Sequence, residues 1–546
     1  MKKILLRSFQ LILCNIALWH GLNAAAQVEV RMRLVPEQGL QLEYQVPAQC
    51  TQLRFEKDGA LAQQIRASWR AEDDCASIVG DELKFKAQCQ VGRFFVPASV
   101  NKVRGYPAAF PMAQALYVHT SNYQLDDHCG TTRYTMSAPY LAYEGQVFEG
   151  NSQFTPPADT SFPILFSTQA LKVDAASGVL SYIDQHLAPA YVARIEEISR
   201  ETIKYLHTAM PKARFVMPII AAAKVPSPGA MGFDGDAGNV LRLGLFNWPN
   251  EYTDSGKKTI SDFVGHEFSH RFQKRDEVDI YPLSRLIHEG GGEYLRWHTA
   301  VALGWMNPQE AAQDLDDALS LCLLGVEQKP WQALPKSYTA PRQLEYRCGL
   351  AAYVFGLAAR KNSQAAINNV GEFYAQIQDG VRPDFFDAIE CGERLDCHSN
   401  WLPQLFTSAK PMSQVWDAFF EETGLARRVP PNQAQLDMMI KKAFSSLTKD
   451  DCGESSTFEA NDGLIIDDLK ACKHLKAQMK IIAVEGHALF GNAGALPALL
   501  SACQQRGTVS VQLASRERLQ LTCTTPFSLN SYFYATDIAK LLKALQ

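Results

Sequence analysis

Residues Val264–Tyr294 read VGHEFSHRFQKRDEVDIYPLSRLIHEGGGEY, and the rest of the chain is best understood outward from them. The segment opens on His266-Glu267-x-x-His270. Residues four apart stack on one face of a helix, so imidazoles at this spacing can converge on one ion. Glu267 sits about a hundred degrees around the same cylinder, where a carboxylate can hold a water without ligating the ion. A catalytic zinc site takes three protein ligands and keeps a fourth position open. Glu289, eighteen residues beyond His270 and opening Glu-Gly-Gly-Gly-Glu-Tyr, is the candidate for the third. Phe263, Val264, Phe268 and Phe272 supply the apolar positions of a partly buried helix, and 283–297 carries a second helical pattern. A surface helix with two solvated histidines is the bland alternative, and it leaves these apolar flanks unexplained. The pattern implies a zinc-dependent peptidase with His266, His270 and Glu289 on the metal and Glu267 as general base.

The bulk composition is that of an ordinary globular chain: 546 residues, 47% hydrophobic and 20% charged, enough for two to four domains. A net charge of −5 gives no reason to expect nucleic acid or an anionic membrane as partner. Met1-Lys2-Lys3 with Arg7, the largely apolar run from Ile4 to Trp19 and Ala24-Ala25-Ala26 predict a secretory signal over 1–26. The mature chain then begins near Gln27, in the periplasm or cell envelope of a bacterium, with no stable membrane span. Of thirteen cysteines, Cys14 falls in that signal. The remaining twelve fall four to a region: Cys50, Cys75, Cys89, Cys129; Cys322, Cys348, Cys391, Cys397; Cys452, Cys472, Cys503, Cys523. None has the CxxC spacing of a zinc ribbon, so disulfides are expected, with Cys391–Cys397 the easiest local pair.

The fold class expected is multidomain α+β. Strand-like alternation, as in 28–35, 40–44 and 83–87, predicts an N-terminal β domain over 27–160, ending in the Pro/Ser/Thr-rich 149–163. A catalytic domain follows over 161–447. Its expected elements are a long amphipathic helix over 181–210, a buried strand over 215–223 and a strand over 239–248. Helices over 308–325, 346–360 and 413–448 form its helical half. From 448 to 546 short strands around 463–469, 480–486, 507–513 and 519–523 bracket a helix over 496–505.

Val264-Gly-His-Glu-Phe-Ser-His-Arg-Phe, the eighteen-residue gap and Glu289-Gly-x-x-x-Tyr294 resemble the gluzincin aminopeptidases of the membrane-alanyl type. Tyr346-Arg-Cys-Gly349 is similar to that family's Tyr-x-x-Gly segment. The resemblance implies a thermolysin-like catalytic domain, one zinc per chain, a peptide substrate, and Tyr346 as hydrogen-bond donor to the oxyanion. Tyr338 and Tyr353 are rivals for that part. Glu293, one turn beyond Glu289, would correspond to the acidic residue that orients a zinc-bound histidine. Gly229-Ala230-Met231 matches the start of the family's substrate strand, but Gly232 stands where a glutamate grips the substrate's α-amino group. Asp234 or Asp236 are possible substitutes, and exo- versus endopeptidase action stays open. The order of strands and helix after 448 resembles a PDZ domain, and a PDZ behind a gluzincin core is similar to the glycyl aminopeptidase family.

Two other functions are compatible with the same residues. An envelope binding or scaffold protein would keep a structural or vestigial zinc, but no Cys or His in the stretch is spaced to supply a fourth ligand. A gluzincin centre acting on an electrophile other than a peptide bond is the third.

Overall fold

The computed structural model describes residues 27–103, 106–143, 145–154, 161–175, 178–215, 217–226, 232–251, 253–273, 285–334, 344–360, 366–381, 402–453, 457–460, 462–466 and 472–546. The expected signal, Gly229-Ala230-Met231, Tyr338, Cys391 and Cys397 lie outside the described residues. The chain divides into two compact units, Met1–Ile203 with Val216–Arg271 and Lys204–Phe215 with Phe272–Gln546.

In the first unit, the alternation of 28–35 becomes the strand Gln27–Val35, with Val28, Val30, Met32 and Leu34 turned inward. It lies between Gly39–Gln45, antiparallel, and Thr131–Tyr143, parallel, in a nine-stranded sheet. Leu42, Tyr44, Phe94, Tyr134 and Met136 join them in one apolar cluster. Cys50–Cys129 and Cys75–Cys89 close across this β-rich part. The loop expected from residue 149 begins later, because Gln146–Phe154 pairs along Thr131–Tyr143.

A second, five-stranded sheet carries the site helix. Its strands are β1 (Lys172–Val173), β2 (Leu180–Ile183), β3 (Ile219–Val225), β4 (Gly232–Ala237) and β5 (Val240–Phe246), in the order β1-β2-β3-β5-β4. β2, β3 and β5 run parallel, while β4 returns antiparallel as an edge strand. The apolar run of β3 reads as continuous because both faces of a central parallel strand are covered.

The expected helix over 181–210 is corrected at its start. Leu180–Ile183 is strand β2, and the helix, α1, spans Pro189–Ala209. Proline fits the first turn of a helix, where its missing N–H would have no partner, and breaks one further in, so Pro189 marks the start. α1 packs along α2 (Asp254–Ser269), with the Arg194 Nε donating to Ser261 Oγ at 3.0 Å.

In the second unit, a π-helical turn, Leu286–Gly290, runs into α3 (Gly291–Ala302). α4 (Pro308–Val326) starts on a reciprocal cap between Asn307 and Glu310, the arrangement that satisfies two orphan backbone donors. α5 (Leu344–Ala358) is apolar on all sides from Cys348 onward and accordingly buried there, and Cys322–Cys348 ties it to α4. α6 (Ala366–Gln378) and α7 (Met412–Thr423) complete the helical part. The helix expected over 413–448 is two helices: Gly424 ends α7 in a left-handed conformation, and strand Ala426–Val429 precedes α8 (Gln433–Cys452). α8 continues past residue 448, where a boundary is expected. Beyond it, strands Thr457–Ala460, Gly463–Ile466, Lys480–Val484, Thr508–Leu513 and Arg518–Thr522 pair in sequence order with helix Ala495–Arg506, stapled by Cys452–Cys472 and Cys503–Cys523. The sequence reading missed the last strand, Phe533–Thr536, which pairs with Ala426–Val429. Among the described residues no helix is long and apolar enough to cross a membrane.

Two half-buried groups of this unit set opposing pH dependences. His298, whose Nδ1 lies 3.1 Å from Tyr205 Oη, is held down to about 4 by burial. The unfolded chain binds its proton first, so the stability tied to neutral His298 is full above about 6.5 and is lost as pH falls toward 4. Asp316 accepts from the Thr536 N–H and hydroxyl and is pushed up to about 6 by burial. Here the folded chain keeps the proton longer, so stability falls as pH rises through roughly 4 to 6. Asp316→Asn keeps a carbonyl for Thr536 and removes the titration. Relative to the parent it is expected to gain about 3 kcal/mol between pH 4 and 7 in urea unfolding.

Candidate metal centre

Thr253 caps α2 by accepting from the Gly256 N–H at 3.0 Å. Gly256 is required there, because a Cβ would stand 2.3 Å from Tyr191 Oη on α1. Ile260, Val264 and Phe268 are fully buried, which fixes the rotation of the helix. His266 and His270 then share a face, as the i, i+4 spacing requires. Their Nε2 atoms face each other at 3.0 Å with the rings at 88°, and each residue is 7% exposed. Beyond His270, the buried Arg271 donates to Gly238 O at 2.9 Å and Asn239 Oδ1 at 3.3 Å, tying the end of the helix to the β4–β5 turn. Burial holds the Arg271 guanidinium down to about 10. Sequence reasoning missed this residue, since an arginine after the motif reads as solvated.

Glu267 points from α2 toward edge strand β4. A Cβ on Gly235 would come within 2.4 Å of Glu267 Oε1 and 2.5 Å of Cδ, so the carboxylate rests on the bare backbone of the strand. Gly235→Ala would push this flexible side chain aside and leave the helix where it is. The expected result is about a hundredfold loss of turnover, with metal content and melting temperature unchanged; metal analysis, calorimetry and an activity assay read the three quantities.

Asp234 and Asp236 are corrected as substitutes for an amine-binding carboxylate. Side chains alternate along a strand, so both point away from the face that Gly235 turns to Glu267. Asp234 Oδ1 accepts from Arg242 Nη1 at 2.5 Å, and Asp236 accepts from Tyr117 Oη. Arg242 is fully buried over the rings of Phe110 and Tyr117. Burial alone would lower its pKa, but Asp234, Tyr117 and Asp236 outweigh it and the net shift is upward. The two aspartates serve a buried ion cluster behind the strand.

In the second unit Glu289 sits in the π-helical turn, 6% exposed. Such turns insert one residue into a helix and re-aim its side chains, and they recur at functional sites. The backbone around Glu289 is held from two sides. Gln273 Nε2 donates to His288 O at 2.9 Å and to Tyr374 Oη at 2.8 Å, and Tyr374 Oη donates to Ile287 O at 3.3 Å. On the other side α5 crosses so closely that a Cβ on Gly349 would lie 2.5 Å from Gly290 Cα, and one on Gly290 would lie 2.7 Å from Gly349 Cα. Glu289 pairs with Arg285 at 3.6 Å, and Arg285 reaches the buried Glu345 at 3.5 Å. Tyr346, one helical turn before Gly349, is partly exposed. Its rival Tyr353 is fully buried, stacked on Tyr294 with ring centroids 5.6 Å apart, and is a core tyrosine. Glu293 is gripped by Arg296 through Nε at 3.0 Å and Nη2 at 2.7 Å, and Arg296 also binds Asp314. His298 is partly buried against Tyr205 and Tyr294.

His266 and His270 in the first unit and Glu289 in the second are each buried. No protein-family model matches the chain, and no curated protein matches it. Solved structures do. The crystal structure of an aminopeptidase N family protein from Idiomarina loihiensis aligns with a TM-score of 0.58 at 14% identity, covering 95% of this chain and 100% of that one. The chain shares its fold. The crystal structure of an M1 zinc metallopeptidase from Deinococcus radiodurans aligns with a TM-score of 0.35 at 12% identity, over 72% of this chain and 92% of that one.

Proposed function

We propose that this protein is a zinc-dependent peptidase of the gluzincin type. The observation that carries the reading is the pair of buried imidazoles facing each other on α2, with Glu267 on the same helix. The donor set suits zinc: two neutral nitrogens and one carboxylate, with N–Zn bonds of about 2.0–2.1 Å that place neighbouring donors roughly 3 Å apart. Two imidazole nitrogens facing at 3.0 Å agree with that spacing. The fold shared with an aminopeptidase N family protein adds support.

His266, His270 and Glu289 would hold the zinc. When bound, it would supply Lewis acidity, lowering the pKa of a water and polarising the substrate carbonyl. Glu267 Oε accepts a proton from the attacking water as the new C–O bond forms, then passes it to the nitrogen that leaves as the C–N bond breaks. Tyr346 Oη donates a hydrogen bond to the oxygen that becomes negative, a contribution worth about 3 kcal/mol in comparable oxyanion sites. Glu293, steadied by Arg296, would orient a ligand histidine. The free edge of β4, with Gly229, Ala230 and Met231 before it, would pair with an extended peptide.

The same reading puts the mature chain in an oxidising compartment, supported by five disulfides among the described residues. It keeps the C-terminal strands as a PDZ-like domain. The test is metal analysis with a peptide-library digest. One zinc per chain is expected, with cleavage abolished by chelation and restored by zinc. A chain that binds zinc but leaves every peptide intact would end the peptidase reading.

A further inference from the structure

We infer that the peptidase recognises a neutral, internal stretch of polypeptide and not a free N-terminal ammonium, with Phe233 as an apolar contact for a substrate side chain. The inference rests on the peptidase reading and concerns only what the site accepts.

The face of β4 turned toward α2 carries Phe233 and Gly235. Gly235 supports Glu267. Phe233 packs its ring against Phe263, one helical turn before Glu267 on α2, with centroids 4.6 Å apart. The two aromatics differ in one respect. Phe263 is 5% exposed and belongs to the core, whereas Phe233 is 48% exposed, one of only five large hydrophobic residues so exposed among the described residues. An aromatic ring half in water beside the proposed general base is an apolar surface awaiting a partner.

The acidic side chains of the strand are unavailable to a substrate on this face. Asp234 and Asp236 point to the opposite side, where Arg242 and Tyr117 bind them. From Pro226 to Phe233 the sequence contains no acidic residue. Gly232 is not forced by crowding, since a Cβ there would meet nothing within 4 Å. An ammonium ion drawn out of water on this face would find no carboxylate of the strand's own, and Glu267, which rests on Gly235, is committed to the proton of the attacking water; an amide carries no such desolvation penalty. The side chain that the strand does offer, Phe233, rewards apolar area instead.

The test uses the zinc-loaded full chain and a pair of internally quenched peptides of one Leu- and Phe-containing sequence, one with a free amine and one N-acetylated. Acetylation is expected to change kcat/KM by less than about threefold, with cuts mapped by mass spectrometry inside the peptide. Calorimetry with the Glu267→Gln chain should give equal affinities for the two, a readout that does not depend on turnover. Phe233→Ala should lower kcat/KM on the apolar peptide about tenfold and leave an analogue built from Gly, Ala and Ser within about twofold. Phe233→Leu should recover most of the loss. A more than tenfold penalty for acetylation, or removal of single residues from the free end only, overturns the inference while sparing the peptidase reading. An equal loss on both peptides in Phe233→Ala overturns the role of Phe233. If neither parent peptide is cut in a chelator-sensitive way, the peptidase reading falls and this inference with it.

Discussion

Glu267→Gln is expected to bind one zinc per chain and to lose peptide hydrolysis by roughly 10²–10⁴-fold. The substitution is close to isosteric, so the side chain can still rest on Gly235. His266, His270 and Glu289 are untouched, and metal content should not move. What disappears is the ability to take a proton from water and return it to the leaving nitrogen, because an amide is a feeble base. KM should stay near the parental value, since Glu267 contributes to the reaction and not to holding the peptide. Metal analysis beside steady-state kinetics separates this from a folding defect. Parental turnover in the variant would refute the assignment of the base.

Gly349→Ala is expected to have an equally large effect by a different route. Its new methyl group would stand 2.5 Å from Gly290 Cα, main chain against side chain, where no rotamer can relieve the conflict. One of the two helices must move, at a cost of about 3 kcal/mol, the upper end for overpacked cores. The residue displaced with Gly290 is its neighbour Glu289, and Tyr346 lies one turn from Gly349 on the other helix. The variant should therefore melt earlier, retain well under one zinc per chain and fail to recover full activity in excess zinc. Gly232→Ala, placed in open space, is the matching control and should melt like the parent. A Gly349→Ala chain with full zinc and parental stability would show that the close crossing does not position Glu289.

These contacts mark what the sequence could and could not disclose. The site helix was legible because two histidines and a glutamate at fixed helical offsets leave few other arrangements, and its apolar flanks announce a buried face. The alternating strands from Gln27 and the short strands after residue 462 were legible for the corresponding reason in strands. The π-helical turn at Glu289 was not, since one extra residue in a helix leaves no periodic trace. Neither were the paired glycines: Gly290 reads as part of a flexible Gly-Gly-Gly and Gly349 as a motif letter, and only their juxtaposition gives both a purpose. Asp234 and Asp236 misled because an acidic residue in a strand suggests exposure, whereas the buried Arg242 binds the first and the buried Tyr117 the second. Pro189 was a local signal outweighed by an apolar stripe that continued through β2.

The bridges among the N-terminal strands are nested: Cys50–Cys129 encloses Cys75–Cys89. A polypeptide that emerges from its N-terminal end offers Cys50 and Cys75 to an oxidase before Cys129 has appeared. Joining thiols in order of emergence would produce a bridge absent from the native protein, and escaping it takes thiol attack on that bridge. In the second unit Cys322–Cys348, Cys452–Cys472 and Cys503–Cys523 each close between close successors in the chain. Maturation in a cell lacking a disulfide isomerase should therefore stall at the β-rich end, with the helical end already correctly joined.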